Sequence, residues 1–198
     1  MNVAIVDYGA GNVTSVARAL QRLGVSPLLT DDPEQIAKAD KVVFPGQGEA
    51  SNAMSNLKQR GLDKVLRDLK QPFLGICIGQ QLMCRHSEEG DTDGLGIFDV
   101  PVLRFIPQCH EDKVPHMGWN TLNELRSPLF NEIEEGAYAY FVHSFYVPLC
   151  AETIATTDYI QPFSAALQHE NFFATQFHPE KSGSVGERIL QNFLDIEH

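Results

Sequence analysis

Pro72-Phe73-Leu74-Gly75-Ile76-Cys77-Ile78-Gly79-Gln80-Gln81 is a short apolar run that turns into helix-forming residues with a cysteine at the junction. Glycines stand two residues before and two residues after that cysteine. A sharp strand-to-helix turn needs this spacing, because a side chain at either flanking position collides with neighbouring backbone. The helix start behind the sulfur favours thiolate over thiol. It also aims free N–H groups at an oxyanion forming beside Cys77, with the Ile78 N–H as one donor. The alternative is a buried structural cysteine, and the paired glycines argue against it. Cys84, Cys109 and Cys150 lack such a setting and read as structural.

Outward from this turn, the first half alternates strand and helix signals. Strands are expected at residues 3–7, 26–30, 41–44 and 72–76, the third stopped by Pro45-Gly46. Helices are expected at 12–23, at 33–39 with Asp31 or Asp32 as cap and Pro33 first, at 50–69 with a break near Gly61, and from 78 to 85. Such alternation predicts an α/β fold with an open, mostly parallel sheet flanked by helices on both faces. Beyond Gly90 come short β-like pieces at 100–105, 113–122, 137–147, 153–157, 164–169 and 172–176, expected to extend the sheet as antiparallel strands. A last amphipathic helix at 185–194 puts Ile189, Leu190 and Phe193 on one face. With no internal repeat or linker, residues 1–198 read as one domain.

A thiolate nucleophile needs a base, and the base an orienter. Among seven histidines, His178 stands out in Thr175-Gln176-Phe177-His178-Pro179-Glu180. It closes an apolar strand, and Glu180 two residues on can accept from the imidazole and fix its tautomer. His116 and His143 read as core or pocket-lining groups. Pro45-Gly46-Gln47-Gly48 follows the third strand and suits a turn approaching a ligand, with the Gln47 N–H as candidate second oxyanion donor; by itself it reads equally as an ordinary loop. Gly9-Ala10-Gly11-Asn12-Val13-Thr14 lacks the third glycine of a dinucleotide fingerprint. Gly90-Asp91-Thr92-Asp93-Gly94 is too short for a calcium loop. No metal or cofactor is expected.

With 15 basic and 26 acidic residues the net charge is −11. Clustered Lys and Arg are what nucleic acid and anionic membrane recognise, so neither is an expected partner. No stretch reaches the length of a membrane span. The start, Met1-Asn2-Val3-Ala4-Ile5, lacks a basic leader, and the four cysteines form no CxxC pair. A cytoplasmic location with free thiols is expected.

The elbow Gly75-Ile76-Cys77-Ile78-Gly79 with Gln81, together with Phe177-His178-Pro179-Glu180-Lys181-Ser182, resembles the class I (triad) glutamine amidotransferases. Asp7-Tyr8-Gly9-Ala10-Gly11-Asn12, Pro115-His116-Met117-Gly118-Trp119-Asn120 and Tyr140-Phe141-Val142-His143-Ser144 narrow the resemblance to one branch. Its members feed ammonia to imidazole glycerol phosphate synthesis in histidine biosynthesis. Two departures are visible: Gln47 where the family loop usually has Val, and Gln80 where it has Met. Backbone donors are expected to survive both.

The resemblance implies that Cys77 attacks the glutamine side-chain amide, His178 moves the proton and Glu180 orients His178. It implies Gly46, Gly48, Gln81, Ser144 and Phe145 as glutamine contacts. It further implies a (β/α)8-barrel cyclase as heterodimer partner, reached through Asn12, Trp119 and Lys181. An exposed Trp suits an interface anchor; from the residues alone a core position is the better reading for Trp119, and Lys181 fits an ordinary surface one. Alternatives are a glutaminase subunit for anthranilate, GMP or pyridoxal phosphate synthesis, a stand-alone cysteine hydrolase, or a non-catalytic binding module.

Overall fold

The computed structural model describes residues 1–9, 13–46 and 48–197. Strands β1 (Val3–Val6), β2 (Leu28–Thr30), β3 (Lys41–Gly46) and β4 (Phe73–Cys77) run parallel. Between them lie helices α1 (Val13–Arg22), α2 (Pro33–Lys38), α3 (Ala50–Gln59) and α4 (Leu62–Asp68). Helix α5 (Ile78–Met83) follows Cys77 directly, and α6 (Gly183–Asp195) closes the chain. Local chemistry sets several boundaries. Asp32 caps α2 by accepting from the Glu34 N–H at 2.9 Å, with Pro33 at the first position. Gly61, in the left-handed region at φ 68°, separates α3 from α4.

The remaining strands are β5 (Cys84–Ser87), β6 (Thr92–Asp93), β7 (Phe98–Arg104), β8 (His116–Leu122), β9 (Ala137–His143), β10 (Phe145–Tyr146), β11 (Thr153–Tyr159), β12 (Gln161–His169) and β13 (Phe172–Thr175). The main sheet has seven strands in the order β11-β12-β13-β4-β3-β1-β2. β13 is parallel to β4, whereas β12 and β11 add on antiparallel.

Alternate residues of the central strands feed two apolar layers, as the period of a strand buried on both faces requires. Val3, Ile5, Val43 and Leu74 pack with Val16, Ala19 and Leu20 of α1 and with Ile189, Leu190 and Phe193 of α6. Ala4, Val6, Val42 and Phe73 pack with Ile36 of α2, Met54 and Leu57 of α3, and Leu62 and Leu66 of α4.

Four expectations are corrected. β3 does not stop before Pro45-Gly46. It continues beside β4, pairing Pro45 with Ile76 and Gly46 with Cys77; a proline at a strand end forfeits little pairing, and the buried Tyr8 hydroxyl donates to its carbonyl at 3.1 Å. α5 ends at Met83 rather than Arg85, because the N–H groups of Leu95, Ile97 and Gly96 take the carbonyls of Leu82, Met83 and Cys84. The strand expected over 137–147 breaks after His143, where the Ser144 carbonyl accepts from Phe105 N–H at 3.0 Å. Only β11, β12 and β13 of the second half join the main sheet. β10-β7-β5-β6 form a four-stranded sheet and β8-β9 a hairpin. The hairpin lies over the α1/α6 layer, burying Leu122, Ala139 and Phe141 there.

Candidate active site

β13, β4 and β3 are neighbours in the sheet, and their C-terminal ends meet at one crevice, where ligands of open α/β sheets collect. Cys77 sits at the tip of β4 with φ 55° and ψ −108°. Such a backbone is strained for a residue with a Cβ and holds the thiol out of both strand and helix. The two glycines leave room for the turn. A Cβ on Gly75 would come within 2.9 Å of the Gly79 carbonyl carbon, and one on Gly79 would strike the Phe44 carbonyl oxygen.

A cavity of about 360 Å³ opens over the cysteine, lined by Gly48, Cys77, Ile78, Gln81, Glu89, Pro115, Val142, His143, Ser144, Phe145 and His178. The structure therefore brings Gly48, Ile78, Gln81, Ser144 and Phe145 together with Cys77 and His178. Gly46 stands behind the wall, where a Cβ would meet the Ile78 Cβ at 2.6 Å and the Gly79 nitrogen at 2.9 Å. Gln47 and Asn12 lie outside the described residues. The Ile78 N–H, at the first position of α5, has no intrahelical acceptor.

The side chains of His178 and Glu180 are each 1% exposed, and Nδ1 of the imidazole lies 2.8 Å from the Glu180 Oε1. Nδ1 therefore carries the proton it donates, and Nε2 is left to take another. Nε2 is buried, and none of the described residues meets it at full hydrogen-bond geometry. Burial alone lowers the His178 pKa. Hydrogen bonding to Cys77 and Glu180, and then their charges, outweigh it and raise the value to about 10. The Cys77 interaction contributes to that shift although Nε2 and the sulfur stop short of full hydrogen-bond geometry. The segment is held from outside: the Ser182 hydroxyl donates to the His178 carbonyl at 2.7 Å, and the His178 N–H donates to the Tyr140 carbonyl at 2.9 Å.

Two features escaped the sequence reading. Glu89 is the one carboxylate among the described residues that line the cavity. Its Oε2 accepts from the Ala50 N–H at 2.9 Å, and burial raises its pKa despite that bond. Nothing in the local sequence marks it, since its place depends on the distant α3. Gln176 is fully buried, and its Nε2 lies 3.7 Å from the Cys77 sulfur. Its spacing of two from His178 was the available signal.

His143 and His116 form a buried pair of their own. Nδ1 of His143 donates to the Phe145 carbonyl at 2.7 Å, so its Nε2 accepts from His116 Nδ1 at 2.9 Å. Burial pushes their pKa values down to about 3 and about 4 respectively. Both are neutral, and neither competes with His178 as base. The same hairpin carries Trp119, 55% exposed, beside Met117 at 64% and Tyr138 at 58%. Trp119 is thus a surface residue, packed edge-on against Tyr140, over whose ring Lys181 Nζ lies at 6.0 Å. Cys84 is buried and its thiol pKa is pushed up by burial; Cys109 is exposed and far in sequence from the elbow.

An elbow cysteine facing a buried histidine–glutamate pair on a parallel sheet defines a class of protein. Residues 4–196 match the model of the class I glutamine amidotransferases, and the chain belongs to that family. It is 62% identical over 196 residues to the imidazole glycerol phosphate synthase subunit HisH of Bacteroides thetaiotaomicron, covering 99% of this chain and 100% of that one. It is 46% identical over 198 residues to the protein of the same name from Pectobacterium atrosepticum, with 99% and 100% coverage. Among solved structures it is similar to a putative GMP synthase subunit from Thermoplasma acidophilum, at TM-score 0.76 and 21% identity, covering 98% and 92% of the two chains. A crystal structure of a glutamine amidotransferase matches at TM-score 0.75 and 17% identity over 98% and 97%. These two likenesses are of fold.

Proposed function

We propose that the chain is the glutaminase subunit of an imidazole glycerol phosphate synthase, acting in histidine biosynthesis. The observation that carries the chemistry is the Cys77 thiol held in a strained turn above the His178–Glu180 pair, with an open cavity on its outer side. The full-length likeness to HisH subunits supports the choice of pathway.

His178 Nε2 takes the thiol proton, and the Cys77 sulfur attacks the amide carbon of glutamine. The Ile78 N–H holds the oxyanion, and the family resemblance assigns the Gln47 N–H as its second donor. His178 returns the proton to the departing nitrogen, which leaves as ammonia. A thioester remains on Cys77. Water, activated by the same imidazole, hydrolyses it to glutamate and restores the thiol. Glu180 keeps the imidazole in the Nδ1-protonated form throughout.

The α-ammonium of glutamine needs an acceptor set, and Glu89 with the unpartnered Oε1 of Gln81 supplies one on the cavity wall. Gly48, Ser144 and Phe145 frame the rest, and Gly46 acts by keeping β3 tight against the elbow. The exposed Trp119, Met117 and Tyr138 suit docking of the (β/α)8-barrel cyclase, and Lys181, over the Tyr140 ring that Trp119 packs against, belongs to the same face. Residues 1–198 act as one glutaminase domain in the cytoplasm; among the described residues no helix is long and apolar enough to cross a membrane.

Glutamate release from glutamine by the purified chain, alone and with the liganded cyclase, tests this reading. Slow release alone, a large rise with the cyclase, and no release by Cys77→Ala are expected. Activity surviving in Cys77→Ala removes the nucleophile. A high rate indifferent to the cyclase points to a stand-alone hydrolase or to another synthase.

A further inference from the structure

Among the described residues the Cys77 sulfur has two hydrogen-bonding neighbours besides its base, and they pull in opposite directions. The Val142 carbonyl lies 3.8 Å away and accepts from the S–H, which favours the thiol. The Gln176 side-chain Nε2 lies 3.7 Å away and donates to the sulfur, which favours the thiolate. We infer that Gln176 is a further catalytic residue, whose side-chain amide donates a hydrogen bond to the Cys77 sulfur and stabilises the thiolate that attacks glutamine. The inference rests on Cys77 being the nucleophile. The proton leaves Sγ for His178 Nε2, while Gln176 keeps its own protons throughout.

The direction of the amide is set by a chain of bonds. The Phe145 carbonyl can only accept, so the Gln81 end facing it at 3.1 Å must be Nε2. That same Nε2 lies 2.9 Å from the facing end of Gln176, which must therefore be Oε1. The opposite end of Gln176, toward the sulfur, is then the NH2 group. The Phe145 carbonyl is itself pinned by His143 Nδ1 at 2.7 Å. A flipped Gln176 would set its nitrogen against the Gln81 nitrogen and its oxygen against a forming thiolate, losing both bonds. The Gln176 backbone is fixed as well, its N–H donating to the Ala165 carbonyl at 2.8 Å. The donor is thus in place before glutamine arrives, as a group that acts on developing charge should be.

The titratable groups that act on the sulfur or its base are His178, Glu180 behind it, Tyr8 below the elbow, and His143 across the cavity. A change at Gln176 alters none of them directly. Gln176→Met keeps the side chain's length and removes the donor. Gln176→Glu keeps its shape and sets a carboxylate against the sulfur.

The test is the pH profile of Cys77 alkylation by iodoacetamide. It is read by mass spectrometry of the Cys77 peptide in a Cys109→Ser background, which removes the exposed thiol. A hydrogen bond to a charged group predicts a profile in Gln176→Met displaced by roughly one pH unit to higher pH, and further in Gln176→Glu. The kcat for glutamate release falls about tenfold while KM stays within about twofold. A merely space-filling Gln176 moves neither the profile nor kcat alone. Superposed profiles in folded variants overturn the inference.

If the variants do not fold, the parent protein answers by NMR of the Gln176 side-chain amide. Its proton resonance should move downfield as Cys77 ionises and stay still in Cys77→Ala; a resonance indifferent to pH in the parent overturns the inference. Glutamate release by Cys77→Ala would instead sink the proposed function and this inference with it. A dead Cys77→Ala with superposed Gln176 profiles sinks the inference alone.

Discussion

Glu180→Gln isolates what the buried pair does. The substitution preserves shape but removes the charge that faces His178 Nδ1 at 2.8 Å, where both side chains are 1% exposed. A hydrogen bond to a charged partner contributes about 1.5–3 kcal/mol, or about ten- to hundredfold in rate. The loss is larger if the new amide turns its NH2 toward Nδ1 and forces the imidazole into the other tautomer, the error that disables a triad. KM should hold, because Glu180 is not part of the cavity wall. The pH profile should change too. His178, raised to about 10 partly by Glu180, holds the proton it has taken from Cys77 across the neutral range and delivers it to the leaving ammonia. Without Glu180 its pKa falls, so the high-pH limb of kcat must move to lower pH. Steady-state glutamate release from about pH 6 to about pH 10.5, a range that brackets the raised histidine value, reads both effects. A rate within about twofold of the parent, with an unmoved limb, would mean that Glu180 does not orient the base.

The raised His178 pKa also ties stability to pH. Its folded value lies above the ordinary 6.5, so its contribution is whole below about 6.5 and is lost as pH rises toward 10. Melting temperature should fall across that alkaline window, and less so in Cys77→Ala, where one cause of the raised value is gone; parallel curves would contradict the coupling. Glu89→Gln should raise KM for glutamine about tenfold with kcat little changed, as a lost charge-assisted bond to the ammonium requires; an unchanged KM would place the ammonium elsewhere. Trp119→Ala should weaken cyclase binding by about 2 kcal/mol, the scale of an interface anchor, measured by titration calorimetry; equal affinity would remove it from the interface.

The elbow and the His-x-Glu turn were legible in the sequence because their constraints are local. Gly75 and Gly79 are demanded by backbone close to Cys77 on either side, and Glu180 reaches His178 across one proline. The central parallel strands were legible for the same reason, through continuous apolar runs between helices, one of them opened by the Asp32 cap. What escaped depends on distant partners. α5 ends early because residues 95–97 claim its last carbonyls. Glu89, in the turn between β5 and β6, is held at the cavity wall by the Ala50 N–H at the start of α3. Gln176 acquires its direction from Phe145, on a strand of a different sheet, through Gln81. Gly46 carried a ligand-binding look from its glycine-rich setting, yet its missing side chain makes room for Ile78. Residue type alone favours the core for Trp119, and it is the β8–β9 hairpin that turns the ring outward.

The most direct measurement is the fate of the amide nitrogen. The chain, the cyclase and its nucleotide substrate are supplied with glutamine carrying ¹⁵N in the side-chain amide, in the presence of excess unlabelled ammonium. Imidazole glycerol phosphate rich in ¹⁵N, formed with Cys77 and absent with Cys77→Ala, is the expected result. Product carrying only unlabelled nitrogen, or label transfer that survives the loss of Cys77, would contradict a cysteine glutaminase delivering ammonia to that cyclase.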